Sequence, residues 1–533
     1  MKANMTKGCK YLLFVIGLTI TCVFLGGVGD QTTAQNSLPS PASRGKQIYI
    51  QGTSPSGKNV LAYVGDSSIE VPASAMTCSN CHGFDGQGKP ESGITPTNLT
   101  WEALTKPYGV THADRRTHPP YTERALELAI TRGTDPAGHK LLSVMPRYAM
   151  SREDLADLIA YLKLIGKDRD PGITENEIVI GTAGPTKGAL GSMSRVINSV
   201  TAAYFDELNS QGGIYDRRIQ VKFGATDDPP AATRANLERF LKEQHIFALT
   251  SVLAAGAEKE IMPLMSQQEV PLVGPLTLFP QTDSPLNRQV FYLLSGIEGQ
   301  ARTLVEFAAS KPELKRSRIA VVLRQSENNS STLKAINEQS KKDGFAAPQA
   351  YDYVRLDGST MVKQLRQAGA EIVFFLGGGE DAVLFMTEAD KSGWFPTVFL
   401  PNADDRLMAA PSGFNGKIFL SLPTSPTAQT AIGAKEFRAF ADKYKLPSEH
   451  LATQLSAYSS AKILAEAMRR VGKDLSREKL IQALEGFYDY QTGLTPAITY
   501  GPNRRIGAMG AYVVTIDLKE KRIVGASDWI NIN

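Results

Sequence analysis

Cysteine is scarce in this chain: four occur among 533 residues, and two of them, Cys9 and Cys22, lie in the N-terminal stretch. If that stretch is removed on export, Cys78 and Cys81 remain, and two thiols cannot build a framework of several disulfides. An excess of charge of one sign is also lacking, because the formal net charge is only +4. So small a charge for this length gives no basis for nucleic-acid binding.

Long apolar runs are missing beyond the N-terminus. There, Lys2, Lys7 and Lys10 precede an apolar run over about residues 11–28, which small polar residues follow. This order is typical of a secretory signal peptide, predicted here as residues 1–34, and it places the rest of the protein in the periplasm. An uncleaved membrane anchor stays open as an alternative, because the run is close to the ~20 residues that span a bilayer.

Only six histidines occur, yet one of them directly follows a pair of cysteines in Cys78-Ser79-Asn80-Cys81-His82. Thiols three residues apart can each form a thioether with a haem vinyl group, and the next histidine then lies under the iron. The sequence therefore predicts one covalently attached haem c, held by Cys78 and Cys81, with His82 as an axial ligand of the iron.

The residues around this pentad resemble class I cytochrome c. The resemblance rests on residues 45–49, 83–88 and 95–99, with an insertion, 51–75, between the first segment and the cysteines. It implies an all-α cytochrome domain, predicted over residues 40–167. Apolar spacing predicts helices over 121–130, ending at Gly133, and over 152–165, capped by Ser151.

The sixth ligand of the iron would come from a residue distant in sequence from the Cys-x-x-Cys-His pentad. Met145 lies in a loop before the C-terminal helix, where the class I family keeps its axial thioether, and the resemblance implies that role here. Thioether ligation raises the reduction potential, which suits an electron carrier. Met76 and Met150 are alternatives, and His112 or His139 would give bis-histidine ligation. The remaining histidines are expected at the surface.

After a polar linker, predicted as residues 168–175, apolar strands alternate with amphipathic helices. The predicted strands are residues 178–181, 219–223, 247–250, 270–273, 319–323, 372–376 and 397–400. Such alternation indicates parallel sheets covered by helices on both faces, and the length calls for two lobes.

Residues 180–188, 209–219 and 270–277 resemble periplasmic binding proteins of the branched-chain amino acid (Leu/Ile/Val) type. The resemblance runs over residues 176–533. It implies two Rossmann-like lobes, joined by three crossovers, that close on a small molecule in the cleft between them. The fold class is thus multidomain: an all-α cytochrome followed by a two-lobed α/β (type I) binding protein.

The resemblance also implies where a ligand would bind, since ligands lie beyond the carboxyl ends of parallel strands. The candidate ligand-binding residues are Ser251, Ala255, Gly256, Thr277, Gly378 and Asn402. Ala255 stands where the family's amino acid binders have a serine, and Asn402 where they have an acid for the ammonium group. A register slip of one or two residues would return Ser251 or Asp404 to the site. The departures predict a ligand that is bulkier or less charged than an α-amino acid.

These features predict a periplasmic electron carrier fused to a solute-binding module, with no catalytic residues of its own. One interpretation is that the cleft presents a substrate to a partner dehydrogenase, whose electrons leave through the haem to another cytochrome. An alternative is the substrate-binding component of an ABC importer, working with a permease, with the haem domain as redox sensor or docking module. A haem enzyme acting on the bound ligand, or a scaffold with a degenerate cleft, also stays open.

Overall fold

The computed structural model describes residues 40–88, 95–112, 115–167, 169–227, 230–282, 285–402, 404–424 and 429–532. The predicted signal peptide, residues 1–34, lies outside them. The chain forms two compact units that meet in sequence between Ile165 and Gly166. Among the described residues, no helix is both long enough and apolar enough to cross a membrane.

In the described residues of the N-terminal unit, five helices form the framework. They are α1 (Pro41–Gln51), α2 (Cys78–His82), α3 (Trp101–Leu104), α4 (Glu123–Arg132) and α5 (Arg152–Leu162). The predicted caps are present: the Ser151 hydroxyl accepts from the Asp154 backbone N–H at 3.1 Å, and Gly133 ends α4 with a left-handed backbone. Helix α5 ends three residues earlier than predicted, and α1 begins at Pro41 because Ser40 caps it there.

The predicted insertion folds into a β-hairpin. Its strands are β1 (Leu61–Val64) and β2 (Ile69–Pro72), and the unit's other strands are β3 (Val110–Thr111), β4 (Thr117–His118) and β5 (Arg147–Ala149). Strand β1 pairs antiparallel with both β2 and β5. The unit therefore contains a small three-stranded sheet in addition to the predicted helices. This sheet connects the insertion to the segment that directly follows Met145.

Helices α1 and α5 cross closely at Gly45. A side chain at this position would collide with the main-chain carbonyl of Asp157, so only glycine allows the two backbones to approach. The Arg44 guanidinium binds the Asp157 carboxylate with both ends, at 2.6 and 2.7 Å. The planar fork of arginine suits this bidentate geometry and fixes the crossing.

The first lobe of the C-terminal unit is a six-stranded parallel sheet in the order β16-β10-β9-β8-β6-β7. Its strands are β6 (Glu177–Gly184), β7 (Arg218–Ala225), β8 (Ala248–Thr250), β9 (Leu272–Val273), β10 (Val290–Leu294) and β16 (Ile506–Ala508). Its helices are α6 (Gly188–Ser210), α7 (Pro230–Glu243), α8 (Glu258–Gln268), α13 (Ala431–Tyr444), α14 (Leu451–Val471) and α15 (Arg477–Glu485).

The second lobe is a sheet in the order β12-β11-β13-β14-β15-β17-β18, with β19 also paired to β17. Its strands are β11 (Ile319–Arg324), β12 (Gln349–Tyr353), β13 (Ile372–Leu376), β14 (Thr397–Leu400), β15 (Ile418–Leu422), β17 (Gly510–Asp517), β18 (Arg522–Gly525) and β19 (Ile530–Asn531). Its helices are α9 (Ile297–Ser310), α10 (Glu327–Lys342), α11 (Gly358–Gln367) and α12 (Gly379–Lys391). Pairing is parallel from β12 to β15 and antiparallel around β17.

The chain passes between the lobes three times, between β10 and α9, between β15 and α13, and between β16 and β17. Each lobe encloses its own buried clusters of aliphatic and aromatic side chains. The two α/β lobes and the three crossovers agree with the predicted architecture. In parallel α/β sheets of this kind, ligands bind beyond the carboxyl ends of the strands, so the loops at those ends are the place to look for a site.

Candidate functional site

The two cysteines lie on the short helix α2, three residues apart and therefore on one face of it. Both are free thiols and partly buried. Burial raises the pKa of Cys78 to about 12, while a hydrogen bond with Tyr148 opposes that shift. Both thiols are thus available on one surface for bond formation with a single group.

His82 ends the same helix and is 7% exposed. Its Nδ1 lies 2.9 Å from the main-chain carbonyl of Thr97, which can only accept, so Nδ1 carries the proton and donates. This leaves Nε2 as the nitrogen with a lone pair for a metal, as is usual for a ligating histidine. Burial also lowers the pKa of His82, which favours the neutral form that binds iron.

Met145 packs, partly buried, against the same core as Cys78. The rival methionines, Met76 and Met150, contact this core too, so packing alone does not distinguish the three. The rival histidines have other partners. His139 Nδ1 lies 3.1 Å from Asp135 Oδ2, and His112 Nε2 lies 2.9 Å from His118 Nε2.

The expectation that the remaining histidines lie at the surface is wrong for His118, which is 3% exposed. Its Nδ1 donates to the carbonyl of Pro119 at 2.7 Å, and its ring packs edge-on against Tyr121. Both polar atoms of the ring have partners, which is why burial is tolerated. His245 and His450 are exposed as predicted.

In the C-terminal unit, the candidate ligand-binding residues lie in the loops that follow the carboxyl ends of β8, β9, β13 and β14. Ala255 and Thr277 are partly exposed, and Gly256, Gly378 and Asn402 are exposed. Ser251 differs, because it is fully buried and its hydroxyl lies 3.5 Å from the carbonyl of Ala457. The loops are placed as the family resemblance implies, but the Ser251 hydroxyl faces the interior of lobe one.

A carboxylate that the sequence analysis missed lies beside Thr277. The Thr277 hydroxyl donates to Glu258 Oε1 at 2.5 Å and accepts from the Phe279 N–H at 2.9 Å. Glu258 stands in the first turn of α8 and is 8% exposed. The hydrogen of the Thr277 hydroxyl is therefore already used within the protein.

A tyrosine of lobe two packs against the glycine-rich loop that follows β13. A side chain at Gly377 would collide with the hydroxyl of Tyr353, the last residue of edge strand β12, which β11 separates from β13. That hydroxyl donates to Asp381 Oδ2 at 2.7 Å, and Arg324 binds the same carboxylate oxygen at 2.7 Å. The Tyr353 hydroxyl thus lies beside the loop of Gly377 and is held there by a carboxylate.

The acidic group near Asn402, Asp404, already has hydrogen-bond and ion-pair partners within the protein. Asp404 accepts from the Gly379 N–H at 3.1 Å and forms a bidentate ion pair with Arg406. The hydrogen bond from Arg406 is the main reason that the pKa of Asp404 lies below its usual range. Asp404 therefore caps helix α12, and its charge is already neutralised.

One ion pair joins the lobes across the cleft. Lys259 Nζ, in the first turn of α8, lies 2.5 and 2.6 Å from the carboxylate oxygens of Glu327, in the first turn of α10. The N-termini of these two helices therefore face each other, and Glu258 stands beside the contact. This places the neighbourhood of Thr277 at the cleft.

Known families match both units. Residues 177–522 match the family model for periplasmic binding proteins. The chain belongs to this family. Residues 72–165 match the family model for cytochrome c, so the periplasmic binding protein here carries a cytochrome c domain, and that domain implies haem c. The predicted fusion is confirmed.

The relatives agree with the branched-chain amino acid type. Leu/Ile/Val-binding protein homolog 7 of Brucella abortus is 24% identical over 364 residues, covering 63% of this chain and 88% of that protein. The crystal structure of a branched chain amino acid ABC transporter from Thermus thermophilus, with bound valine, covers 68% of this chain and 98% of its own at a TM-score of 0.55 and 18% identity. A fatty acid ABC transporter substrate-binding protein from Thermomonospora curvata covers 69% of this chain and 96% of its own, at a TM-score of 0.53 and 16% identity. At these identities the structural likeness shows the fold alone.

The residues of the cytochrome domain fit a haem. Two partly buried thiols share a helix face, one imidazole is oriented by Thr97, and thioether sulfurs line the same core. If a haem is bound here, this set would offer two thiols for attachment and an imidazole and thioethers as candidate ligands of the iron.

Proposed function

We propose that this periplasmic binding protein captures a small molecule for a partner dehydrogenase and carries the resulting electrons away through its haem. The observation that carries the proposal is the orientation of His82 by Thr97 on the helix that bears both thiols. One haem would be bound through Cys78 and Cys81, with His82 and Met145 as axial ligands. When bound, it supplies a one-electron couple.

We also propose the following division of the chain into domains. A signal peptide of residues 1–34 would direct the chain to the periplasm, ahead of a cytochrome domain of 40–167, a linker of 168–175 and a binding domain of 176–533. Proteins of both families are typically periplasmic, which supports this location. Joining the two modules in one chain raises the concentration of the electron acceptor near the bound substrate.

The environment of Thr277 disfavours a ligand carboxylate at this end of the cleft. A ligand carboxylate placed at this end of the cleft would meet the negative charge of Glu258 and a hydroxyl that has no hydrogen left to donate. Like charges close together disfavour both ionised forms. We therefore infer a ligand that turns an uncharged or positively charged group, such as an alcohol or an amine, toward Glu258.

An alcohol is also a substrate whose oxidation releases electrons that the haem domain could carry away. Its oxidation to a carbonyl compound by the partner dehydrogenase breaks one C–H and one O–H bond and releases two electrons and two protons. A haem held by this domain would supply a one-electron couple, so the two electrons from each substrate molecule would have to leave in two successive transfers to another cytochrome. The two protons would pass to solvent.

A second candidate function is the substrate-binding component of an ABC importer of the branched-chain amino acid type. The relatives named as Leu/Ile/Val-binding protein homologs favour it. In that case a permease is the partner, and the haem domain acts as a redox sensor or docking module.

A thermal-shift panel on the full, haem-loaded protein separates these functions. The panel contains leucine, valine, short and aromatic alcohols, amines, and fatty acids. Stabilisation by alcohols or amines supports delivery to a dehydrogenase. Stabilisation by leucine or valine contradicts our ligand assignment and favours the importer.

Substitution of Glu258 makes the panel more specific. Glu258→Gln removes the negative charge but keeps a group that accepts from Thr277, so it should weaken binding of a cationic amine and leave a neutral alcohol nearly unaffected. Glu260→Gln, on the same helix, is the matched control. If Glu258→Gln binds the amine as tightly as the native protein does, Glu258 does not face the ligand and this assignment is wrong.

A further inference from the structure

Arg147 occupies an unusual place beside the loop of residues 141–145, which carries Met145. Its Nη2 donates to the carbonyls of Leu141 at 2.9 Å and Leu142 at 3.4 Å, and its Nη1 donates to the carbonyl of Met145. One guanidinium thus binds both ends of the loop. A charged donor makes stronger hydrogen bonds to carbonyls than a neutral one does.

Gly133 makes room for this side chain. It ends α4 in a left-handed conformation, and a Cβ atom at this position would collide with the Arg147 guanidinium. Leu141 N–H also donates to the Gly133 carbonyl at 2.9 Å, so the start of the loop is tied to the end of the helix. The guanidinium therefore lies between a helix end and the loop that it binds.

The inserted hairpin holds the backbone of Arg147 from the other side. Strand β1 pairs with β5 in a register that sets Tyr63 opposite Arg147 and Ala62 opposite Tyr148. The Tyr148 hydroxyl donates to the carbonyl of Met76, two residues before Cys78, at 2.7 Å. Strand β5 thus links the loop of Met145 to the segment that bears the thiols.

We propose that Arg147 is a positioning residue that keeps the Met145 sulfur on the haem iron by holding loop 141–145 in one conformation. This inference rests on the proposed axial role of Met145. Without the guanidinium, three carbonyls lose a donor and the loop gains conformations in which the sulfur lies away from the iron. An exogenous ligand would then compete more easily for the sixth position.

The test is imidazole binding to the ferric, haem-loaded protein, together with the absorption band of methionine-ligated ferric iron and the reduction potential. Arg147→Gln should strengthen apparent imidazole binding by about tenfold or more, since each charge-assisted hydrogen bond is worth roughly that factor. The potential should fall and the band should weaken. Arg147→Lys should recover only part of the effect, because a single ammonium cannot span both ends of the loop.

Arg124→Gln is the matched control, since Arg124 lies 73% exposed on α4 and pairs with Glu127. Should Arg147→Gln fail to fold, as judged by circular dichroism, Gly133→Asn displaces the guanidinium while tolerating the left-handed backbone. It should give the same changes in imidazole binding and potential. Where both variants fold, the double variant should be no worse than either single one.

The outcomes separate this inference from the proposed ligand. If Met145→Leu leaves the methionine band unchanged, Met145 is not the ligand and the proposed axial pair is wrong. If Met145→Leu abolishes the band, but folded Arg147→Gln or Gly133→Asn keeps the imidazole affinity and potential of the native protein, then only the role of Arg147 is overturned.

Discussion

Gly377 and Gly378 are neighbours in one loop, yet only one of them has a residue packed against it. A Cβ at Gly377 would meet the Tyr353 hydroxyl, whereas no atom lies within 4 Å of a Cβ at Gly378. Gly378 also has φ −70° and ψ 156°, which any residue adopts. Gly377 is therefore needed for the close contact with Tyr353, whereas Gly378 faces open space.

We expect Gly377→Ala to lower the free energy of unfolding of the C-terminal unit by about 1–3 kcal/mol, the usual cost of overpacking. Gly378→Ala is the control and should be neutral or slightly stabilising, because alanine restricts the unfolded chain. Urea denaturation followed by tryptophan fluorescence measures both. Equal stabilities for the two variants would contradict the contact with Tyr353.

The sequence analysis found the residues whose chemistry is local and missed those whose partners are distant. Cys78, Cys81 and His82 form one continuous motif, so their role could be predicted without a fold. Glu258 and Tyr353 gain their significance from Thr277 and Gly377, which only the folded sheets bring close. Nothing in their own surroundings in the sequence indicated those contacts.

At the scale of helices, the crossing of α1 and α5 depends on Gly45. Gly45→Ala should destabilise the N-terminal unit by about 3 kcal/mol, near the upper end for overpacking, because the obstacle is the Asp157 backbone rather than a movable side chain. The gain in helix propensity, about 1 kcal/mol, offsets only part of this cost.

Thermal unfolding followed by haem absorbance measures the effect of Gly45→Ala. Ser43→Ala is the matched control, since Ser43 is exposed on the same helix. A melting temperature for Gly45→Ala equal to that of the control would mean that the two helices do not cross at this glycine.

Burial alone does not explain which strands could be predicted. The seven predicted strands are present, among them β13, which is apolar and buried throughout, and β7, which is largely exposed. Strand β10 was not predicted, although nearly all of it is buried. Strand β12 was missed because it is an edge strand with mainly exposed residues. The hairpin β1–β2 was recognised only as an insertion, since β2 is also largely exposed.

At the scale of the whole molecule, the two units have separate hydrophobic cores. The cluster around Ile48, Tyr49 and Leu158 draws only on residues of the N-terminal unit, and the other clusters only on the C-terminal unit. A group that packs in one core stabilises that core and makes no direct contribution to the other. Haem loss should therefore affect one unit alone.

We predict that the double substitution Cys78→Ser and Cys81→Ser, which prevents covalent attachment, lowers the midpoint temperature of the N-terminal unit's unfolding transition or abolishes that transition. The transition of the C-terminal unit should stay unchanged. Differential scanning calorimetry of the full chain should resolve the two transitions in the native protein. Ser79→Ala, between the cysteines, is the control that retains the haem. If the double variant shifts both transitions together, the units do not unfold independently, and the haem stabilises the binding lobes as well as the cytochrome domain.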